Sequence, residues 1–170
     1  MSTRAIVAVL LALVTLVTLG AIATSHTGPR AASLPTVCDP AVVMNHRLDE
    51  LGRSGYAWEI QPDPIDNEHH AGYTYFDPPL VVVSGKVTCE QMPTVVNHEW
   101  MHVQQARAFP GQVVLAYGGM DEVEIIADCG SMLLGSAYTP YLTQRRQQTG
   151  DHGCTADENW SARELINHPR

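Results

Sequence analysis

Hydrophobic and polar residues divide this 170-residue chain into three stretches of different character. The first contains AIVAVLLALVTLVTLGAIA, an uncharged run from Ala5 to Ala23 that follows Arg4. A positive charge, an apolar core and a small-residue ending predict a signal peptide over residues 1–23. The run is also long enough for an N-terminal membrane anchor, so both interpretations stay open. In either case the rest of the chain is expected outside the cytoplasm, secreted or anchored.

The second stretch, residues 24–36, reads TSHTGPRAASLPT and has no hydrophobic period, so it is predicted to be a linker. Residues 37–170 have a length typical of one domain. The first helix of this domain is expected in DPAVVMNHRLDELG. There Asp39 is a good N-cap, Pro40 suits the first helical position, and Gly52 ends the segment.

Three short runs, GYAWEI, GYTYF and LVVVS, follow this helix, with several prolines and a glycine between and after them. Aromatic and β-branched residues dominate the runs, which predicts the strands of a small sheet. The hydrophobic period then changes to that of a helix. This helix is expected from about Glu90 or Pro93 to Ala108, where Pro110 and Gly111 end it.

Two more helices are predicted near the C-terminus. One covers about residues 122–134, with Asp121 able to cap it and Gly135 closing it. The other begins near Thr155, because Thr155 and Glu158 have the spacing of a capping box. A few strands among several helices predict an α+β fold for the domain.

The charge of the chain limits the partners that it can bind. With 10 basic and 18 acidic residues, its net charge is −8, and no basic cluster exists beyond Arg145 and Arg146. Nucleic acids and anionic membrane surfaces attract basic patches, so neither is an expected partner. Contact with a membrane is expected only through residues 5–23, if they are retained as an anchor.

Four cysteines, Cys38, Cys89, Cys129 and Cys154, predict two disulfides in an exported chain. Three pairings are possible. Cys38 with Cys89 and Cys129 with Cys154 is favoured, because it ties each end of the domain to one of two central helices. Four reduced, buried thiols are the alternative.

The stretch VVNHEWMHVQQA contains the residues that predict chemistry. On a helix, His98 and His102 are four residues apart and present two imidazoles to one point. That arrangement suits two nitrogen ligands of Zn²⁺, and Glu99 beside them can take a proton from a metal-bound water. The alternative is an ordinary histidine pair on a helix that also packs Trp100. It is disfavoured because buried polar groups without partners are costly.

A hydrolytic zinc site needs three protein ligands and one open position. The next acidic cluster lies in MDEVEIIADCG, and its first acid, Asp121, is 19 residues after His102. Within it, Glu124 and Asp128 are four residues apart and share a helix face. Glu124 could instead cap its own helix, since Asp121 precedes it at capping-box spacing. In that case Asp121, Glu122 or Asp128 would supply the third ligand.

HEWMH, followed 22 residues after its second histidine by EIIAD, resembles the gluzincin metallopeptidases, the thermolysin-like group. In that family a helix with HExxH precedes a helix with ExxxD. The resemblance implies His98, His102 and Glu124 as Zn²⁺ ligands and Glu99 as the general base. It also implies that Asp128 accepts a hydrogen bond from a ligand histidine.

The resemblance covers residues 95–135 and implies a minimal zincin-like core. A short sheet would pack on the HEWMH helix, the helix with Glu124 would follow, and disulfides would stabilise the domain. By analogy, LVVVS is the strand that would align a peptide substrate. Gln105 and Ala108 occupy positions where a metzincin would have glycine and histidine, which excludes that branch.

Gluzincins stabilise the oxyanion with a tyrosine or histidine beyond the third ligand, and the candidates here are Tyr138, Tyr141 and His152. None of the three lies in a matching motif, and SAYTPYL is better explained as a helix stop with packed aromatic residues. His69 and His70 suggest a second metal site, but a polar loop is the favoured interpretation of their segment.

These observations predict an exported zinc metallopeptidase that hydrolyses a peptide or protein substrate with a zinc-activated water and Glu99 as general base. The alternative is a non-catalytic secreted or cell-surface module that uses a zincin-like scaffold for binding. Replacement of Glu99 by Gln separates the two, because only an enzyme would lose turnover.

Overall fold

A computed structural model describes residues 38–62, 70–151 and 153–168. The predicted signal peptide or anchor, the predicted linker, His69 and His152 lie outside these residues. The described part of the chain is an α+β domain with a three-stranded sheet, six helices and two disulfides. None of the helices found among the described residues has the length and apolarity needed to cross a membrane.

Helices and strands follow one another in an order that agrees with most of the sequence predictions. They are α1 (Pro40–Leu51), β1 (Ala57–Gln61), β2 (Gly72–Tyr75), β3 (Leu80–Ser84), α2 (Met92–Ala108), α3 (Val113–Tyr117), α4 (Met120–Leu133), α5 (Pro140–Thr149) and α6 (Ala156–Asn167).

Helices α3 and α5 were not predicted from the sequence. The interpretation of SAYTPYL as a helix stop holds for residues 136–139, which follow the end of α4, but Pro140 occupies the first turn of α5, where proline fits. The rest of α5 is polar, and Leu142 is its buried residue, so it has little hydrophobic periodicity. Helix α3 has five residues, too few to show a helical period.

The predicted cap of α1 is confirmed. The side chain of Asp39 accepts a hydrogen bond from the backbone N–H of Ala41, and Pro40 is the first helical residue. Gly52 follows the helix with φ +84°, a conformation that favours glycine. Met44 and Leu48 of α1 are buried and pack with Val83 and Val96.

Strand order in the sheet is β1-β3-β2, with β1 parallel and β2 antiparallel to β3. LVVVS is therefore the central strand, and its backbone is hydrogen-bonded on both sides. It cannot align a substrate, so that expectation was wrong. Within the described residues β2 is an edge strand, and its Thr74, opposite Val81, lies on the face that packs against α2.

Helix α2 is the centre of the domain. Its residues Trp100 and Met101 belong to one core cluster, and Met92 and Val96 belong to another. Gly130 of α4 faces α2, and a Cβ at that position would overlap the side chain of Met101. The absence of a side chain at Gly130 lets α2 and α4 pack closely, which brings the HEWMH and EIIAD segments together.

The predicted cap of α4 was wrong. Helix α4 begins at Met120 and its N-cap is Gly119, whose backbone has φ +157°, so Asp121 lies inside the first turn. The start of α6 was predicted correctly. Thr155 and Glu158 form a capping box in which each side chain accepts from the other residue's backbone N–H.

Both predicted disulfides are confirmed. Cys38 pairs with Cys89, which joins the segments that precede α1 and α2, with Cα atoms 6.3 Å apart. Cys129 of α4 pairs with Cys154, just before α6, with Cα atoms 5.9 Å apart. Two disulfides are compatible with an extracytoplasmic location.

Glu158, whose carboxylate is buried, connects α5 to α6 through an ion pair with the partly buried Arg145. Arg145 donates to its Oε1 at 2.5 Å and to its Oε2 at 3.1 Å. Burial raises the pKa of Glu158, but hydrogen bonds from Arg145 and from the Thr155 N–H outweigh that effect, so the pKa lies below its ordinary value. This carboxylate stabilises the fold above its unfolded-state pKa of about 4.3, and the stability is lost as pH falls through the lower folded-state pKa.

We expect Glu158→Gln to lower the free energy of unfolding at pH 7 by about 2 kcal/mol, because Arg145 loses its charged partner. The deficit relative to the parent should shrink below about pH 4, where the parent carboxylate becomes protonated. Urea unfolding at several pH values measures both effects. The control is Glu164→Gln, an exposed site on the same helix, which should change stability by less than about 0.5 kcal/mol. A deficit that is constant from pH 7 to pH 3 would contradict this account.

Candidate metal centre

Two histidines of α2 point toward the same spot. His98 and His102 are one helical turn apart, and their rings meet edge to face with centroids 4.7 Å apart. Their side chains are 13% and 8% exposed, so both are largely withdrawn from water. The Nε2 atoms lie 3.1 Å from each other.

Helix α4 brings Glu124 to these two nitrogens. Its Oε2 lies 3.1 Å from Nε2 of His98 and 3.2 Å from Nε2 of His102. Glu124 is the fifth residue of α4, beyond the first turn, so it does not cap the helix. Asp121 and Glu122 lie in that first turn, and the carboxylate that contacts both histidines is that of Glu124.

The Nδ1 atom of each imidazole, on the side away from Glu124, also makes a hydrogen bond. Nδ1 of His98 donates to Oδ1 of Asp128 at 2.9 Å, and Nδ1 of His102 donates to Oε1 of Gln105 at 2.8 Å. Gln105 is oriented in turn, since its Nε2 donates to the backbone oxygen of Val123 at 2.9 Å. Because a carboxylate and an amide oxygen only accept, both Nδ1 atoms carry a proton in the neutral rings, and both Nε2 lone pairs face Glu124.

Asp128 has a second role in the fold. Its Oδ2 accepts the backbone N–H groups of Tyr141 at 2.7 Å and of Leu142 at 2.9 Å. These are N–H groups of the first turn of α5, whose N-cap Thr139 makes no side-chain cap. One fully buried carboxylate therefore orients His98 and seats the helix that carries Tyr141.

The electrostatics of the cluster favour a positive charge. Burial lowers the pKa of His98, but hydrogen bonds to Asp128 and Glu124 outweigh it and raise the pKa to about 10. Burial raises the pKa of Glu124, whereas hydrogen bonds to His102 and His98 bring it well below its ordinary range. Three acceptor atoms at this spacing repel one another unless a cation or a proton lies among them.

The three acceptor atoms have the spacing that a tetrahedral metal requires. Ligands 2.0 to 2.1 Å from Zn²⁺ are about 3.3 Å apart in a tetrahedron, close to the 3.1 to 3.2 Å found here. Two imidazoles and one carboxylate are also a donor set that catalytic zinc sites use. The residues present therefore fit a zinc ion with a fourth position open. A second group, Cys129, Cys154 and Glu158, does not fit, because its two sulfurs form a disulfide.

Glu99 lies beside this cluster and is not part of it. The residue is 5% exposed, and its Oε2 accepts a hydrogen bond from the hydroxyl of Thr74 at 2.8 Å. It lines a cavity of about 230 Å³ together with His98, His102 and Glu124. A carboxylate, three convergent acceptors and an open space therefore share one cleft.

Two further cavities adjoin this cleft. One of about 360 Å³ shares His98, Glu99 and Tyr141 with it. The other, of about 700 Å³, shares Val113, Val114 and Phe76, and apart from Tyr56 it is lined by residues that do not titrate. This cavity has room for side chains of a ligand, but the residues that line it offer no candidate catalytic or metal-binding group.

Of the predicted oxyanion donors, Tyr141 lies at the site. Its ring stacks on His98 with centroids 5.7 Å apart and an interplanar angle of 12°. Burial raises its pKa, as do the nearby charges of Glu124, Glu99 and Asp128, so its hydroxyl keeps its proton. Tyr138 is largely exposed and lines the 360 Å³ cavity. His152 lies outside the described residues.

Three residues at the site were missed in the sequence. The sequence analysis used Gln105 only to exclude the metzincin branch, yet its side chain orients His102 from one helical turn away. Thr74 and Gly72 face Glu99 from β2, and the alternation of a strand places them on one face.

His70 lines the two smaller cavities, and the metal-ligand clusters among the described residues do not include it.

Asp128→Asn should lower the free energy of unfolding by about 3 kcal/mol, because an amide NH₂ would face a donor in place of one carboxylate oxygen. Urea unfolding in the presence of EDTA measures the effect without any contribution from metal. The matched control is Asp121→Asn, an exposed aspartate of the same helix, which should stay within about 0.5 kcal/mol of the parent. Equal stabilities of the two variants would contradict the double role of Asp128.

Neither protein-family models, nor curated proteins, nor solved structures gave a match to this chain.

Proposed function

We propose that this protein is an exported, zinc-dependent metallopeptidase of gluzincin type that hydrolyses peptide bonds. The observation that carries the proposal is the triangle of His98 Nε2, His102 Nε2 and Glu124 Oε2, with sides of 3.1 to 3.2 Å. The hydrogen bonds from the backs of both imidazoles support it, because ligand histidines in metal sites are oriented in this way.

Each residue of the cluster has a distinct part in the proposed reaction. Zinc, when bound, would polarise the scissile carbonyl and lower the pKa of water. His98, His102 and Glu124 would hold the ion. Glu99 lines the same cleft and is not one of the three candidate ligands, so it would take a proton from the attacking water and pass it to the leaving amine. Acid–base work of this kind typically contributes a factor of about 10² to 10⁴ in rate.

Tyr141 supports the proposal as a hydrogen-bond donor at the cleft. Its hydroxyl stays protonated because burial and three nearby carboxylates raise its pKa. A protonated hydroxyl beside the metal site can donate to the oxyanion that develops on the substrate carbonyl. Tyr138, the other described tyrosine considered from the sequence, is exposed and lines the 360 Å³ cavity but not the cleft that contains Glu124.

Strand β2 supports a peptide as the substrate. Gly72, Tyr73 and Thr74 line the cleft that contains Glu99 and Glu124. Among the described strands β2 pairs with β3 alone, so its other edge can accept an extended chain. The adjoining 700 Å³ cavity would receive a side chain of that peptide.

The parent should bind one zinc ion per chain, and His98→Ala, His102→Ala and Glu124→Gln should each weaken binding by about 100-fold or more. Mass spectrometry of the metal after dialysis against a competing chelator measures this.

The matched controls are His46→Ala, a histidine whose side chain is 76% exposed, and Glu122→Gln, two residues before Glu124 in the first turn of α4, and both should keep the zinc. Zinc lost in the histidine variants and kept in Glu124→Gln would move the third ligand to a neighbouring acid. A parent without zinc would overturn the proposal.

Glu99→Gln should keep its zinc and lose hydrolysis of dye-quenched casein by a factor of about 10² to 10⁴, because the amide cannot take up the proton. Glu90→Gln, an exposed glutamate before α2, is the control and should match the parent. A zinc-loaded parent that cleaves no more casein than Glu99→Gln would favour the non-catalytic module instead.

A further inference from the structure

The carboxylate of Glu99 is held by a contact from the sheet. Glu99 is not part of the His98, His102 and Glu124 cluster, and the hydrogen bond that holds its carboxylate comes from the sheet. Thr74 of β2 donates its hydroxyl proton to Oε2 at 2.8 Å, and both residues are buried. A general base works only within a narrow range of positions, so the residue that holds it affects the rate.

Gly72 contacts the Glu99 carboxylate from the same strand as Thr74. Its position on β2 is two residues before Thr74, so both face α2. A Cβ at Gly72 would lie 2.7 Å from Oε1 and 2.8 Å from Cγ of Glu99. The φ of Gly72 is not in the left-handed region, so the requirement for glycine comes from space and not from backbone conformation.

The two contacts act on different oxygens of the same carboxylate. Thr74 engages Oε2, while Gly72 leaves room beside Oε1. A neutral hydroxyl is suited to this task because it donates one hydrogen bond without neutralising the carboxylate. Valine has nearly the same shape as threonine and no donor, and serine keeps the donor in a smaller side chain.

We propose that Thr74 is a positioning residue, which acts through Glu99 by holding Oε2 so that Oε1 faces the cleft. This proposal rests on the proposed function, because it assigns Thr74 to the same reaction. It differs from a structural role in its expected effect: turnover should change while zinc content, folding and substrate binding do not.

The experiment compares Thr74→Val and Thr74→Ser with the parent, using zinc content, thermal unfolding, and kcat and KM for dye-quenched casein. We expect Thr74→Val to lower kcat by about 10- to 100-fold with KM and zinc content unchanged, and Thr74→Ser to restore most of the loss. The control is Thr149→Val at the end of α5. The hydroxyl of Thr149 also donates a hydrogen bond, to the backbone oxygen of Arg145, but the residue does not line the cleft and is far from Glu99 in sequence.

Gly72→Ala provides a second test that does not depend on Thr74. Its added Cβ should displace the Glu99 carboxylate and lower kcat while zinc stays bound. The inference is overturned if Thr74→Val keeps the parent's kcat. It is also overturned if Thr74→Val and Thr74→Ser lose zinc, or unfold at a lower temperature, to the same degree, because that result would indicate a structural role. A zinc-loaded parent that cleaves no casein overturns the proposed function itself, and that result appears in the parent before any variant is assayed.

Discussion

The hydrogen bond between His98 and Asp128 crosses the contact between α2 and α4, and most of the site depends on it. Asp128 is completely buried, so its charge is tolerable only if each oxygen has a donor. One oxygen takes the His98 Nδ1–H, and the other takes two backbone N–H groups of α5. Because three elements meet at one carboxylate, none of them can shift without leaving a buried donor unpaired.

Close packing of the two helices enforces this arrangement. Gly130 presents no side chain to Met101, which lets α4 approach α2. Asp128 and Cys129 immediately precede Gly130, and Cys129 forms the disulfide with Cys154. Glu124 is one turn earlier on the same face, so the approach that satisfies Asp128 also brings Glu124 against both histidines. The convergence of these three acceptor atoms is thus a consequence of how the core packs.

The cleft has two walls with different tasks. Helices α4 and α5 form one wall, where Glu124 faces both imidazoles and Tyr141 stacks on His98. Strand β2 holds the other side, where Thr74 engages Glu99. In the proposed reaction a metal and a general base would need different surroundings, since the ligands would converge on one point while the base would face the open space. His98 and Glu99 are neighbours on α2, but different elements hold their side chains: Asp128 and Glu124 of α4 contact the imidazole, and Thr74 of β2 contacts the carboxylate.

The sequence by itself determined the elements whose signals are local. The spacing of His98 and His102 predicts two imidazoles on one face, and Asp39 and Thr155 predict the starts of α1 and α6, because helix periodicity and caps act within a few residues. Tertiary structure alone decided that β3 is central, that α5 forms from a polar segment, and that Thr74 and Gly72 meet Glu99. Those outcomes depend on contacts between residues far apart in the chain, and such contacts leave no periodic signal in the sequence.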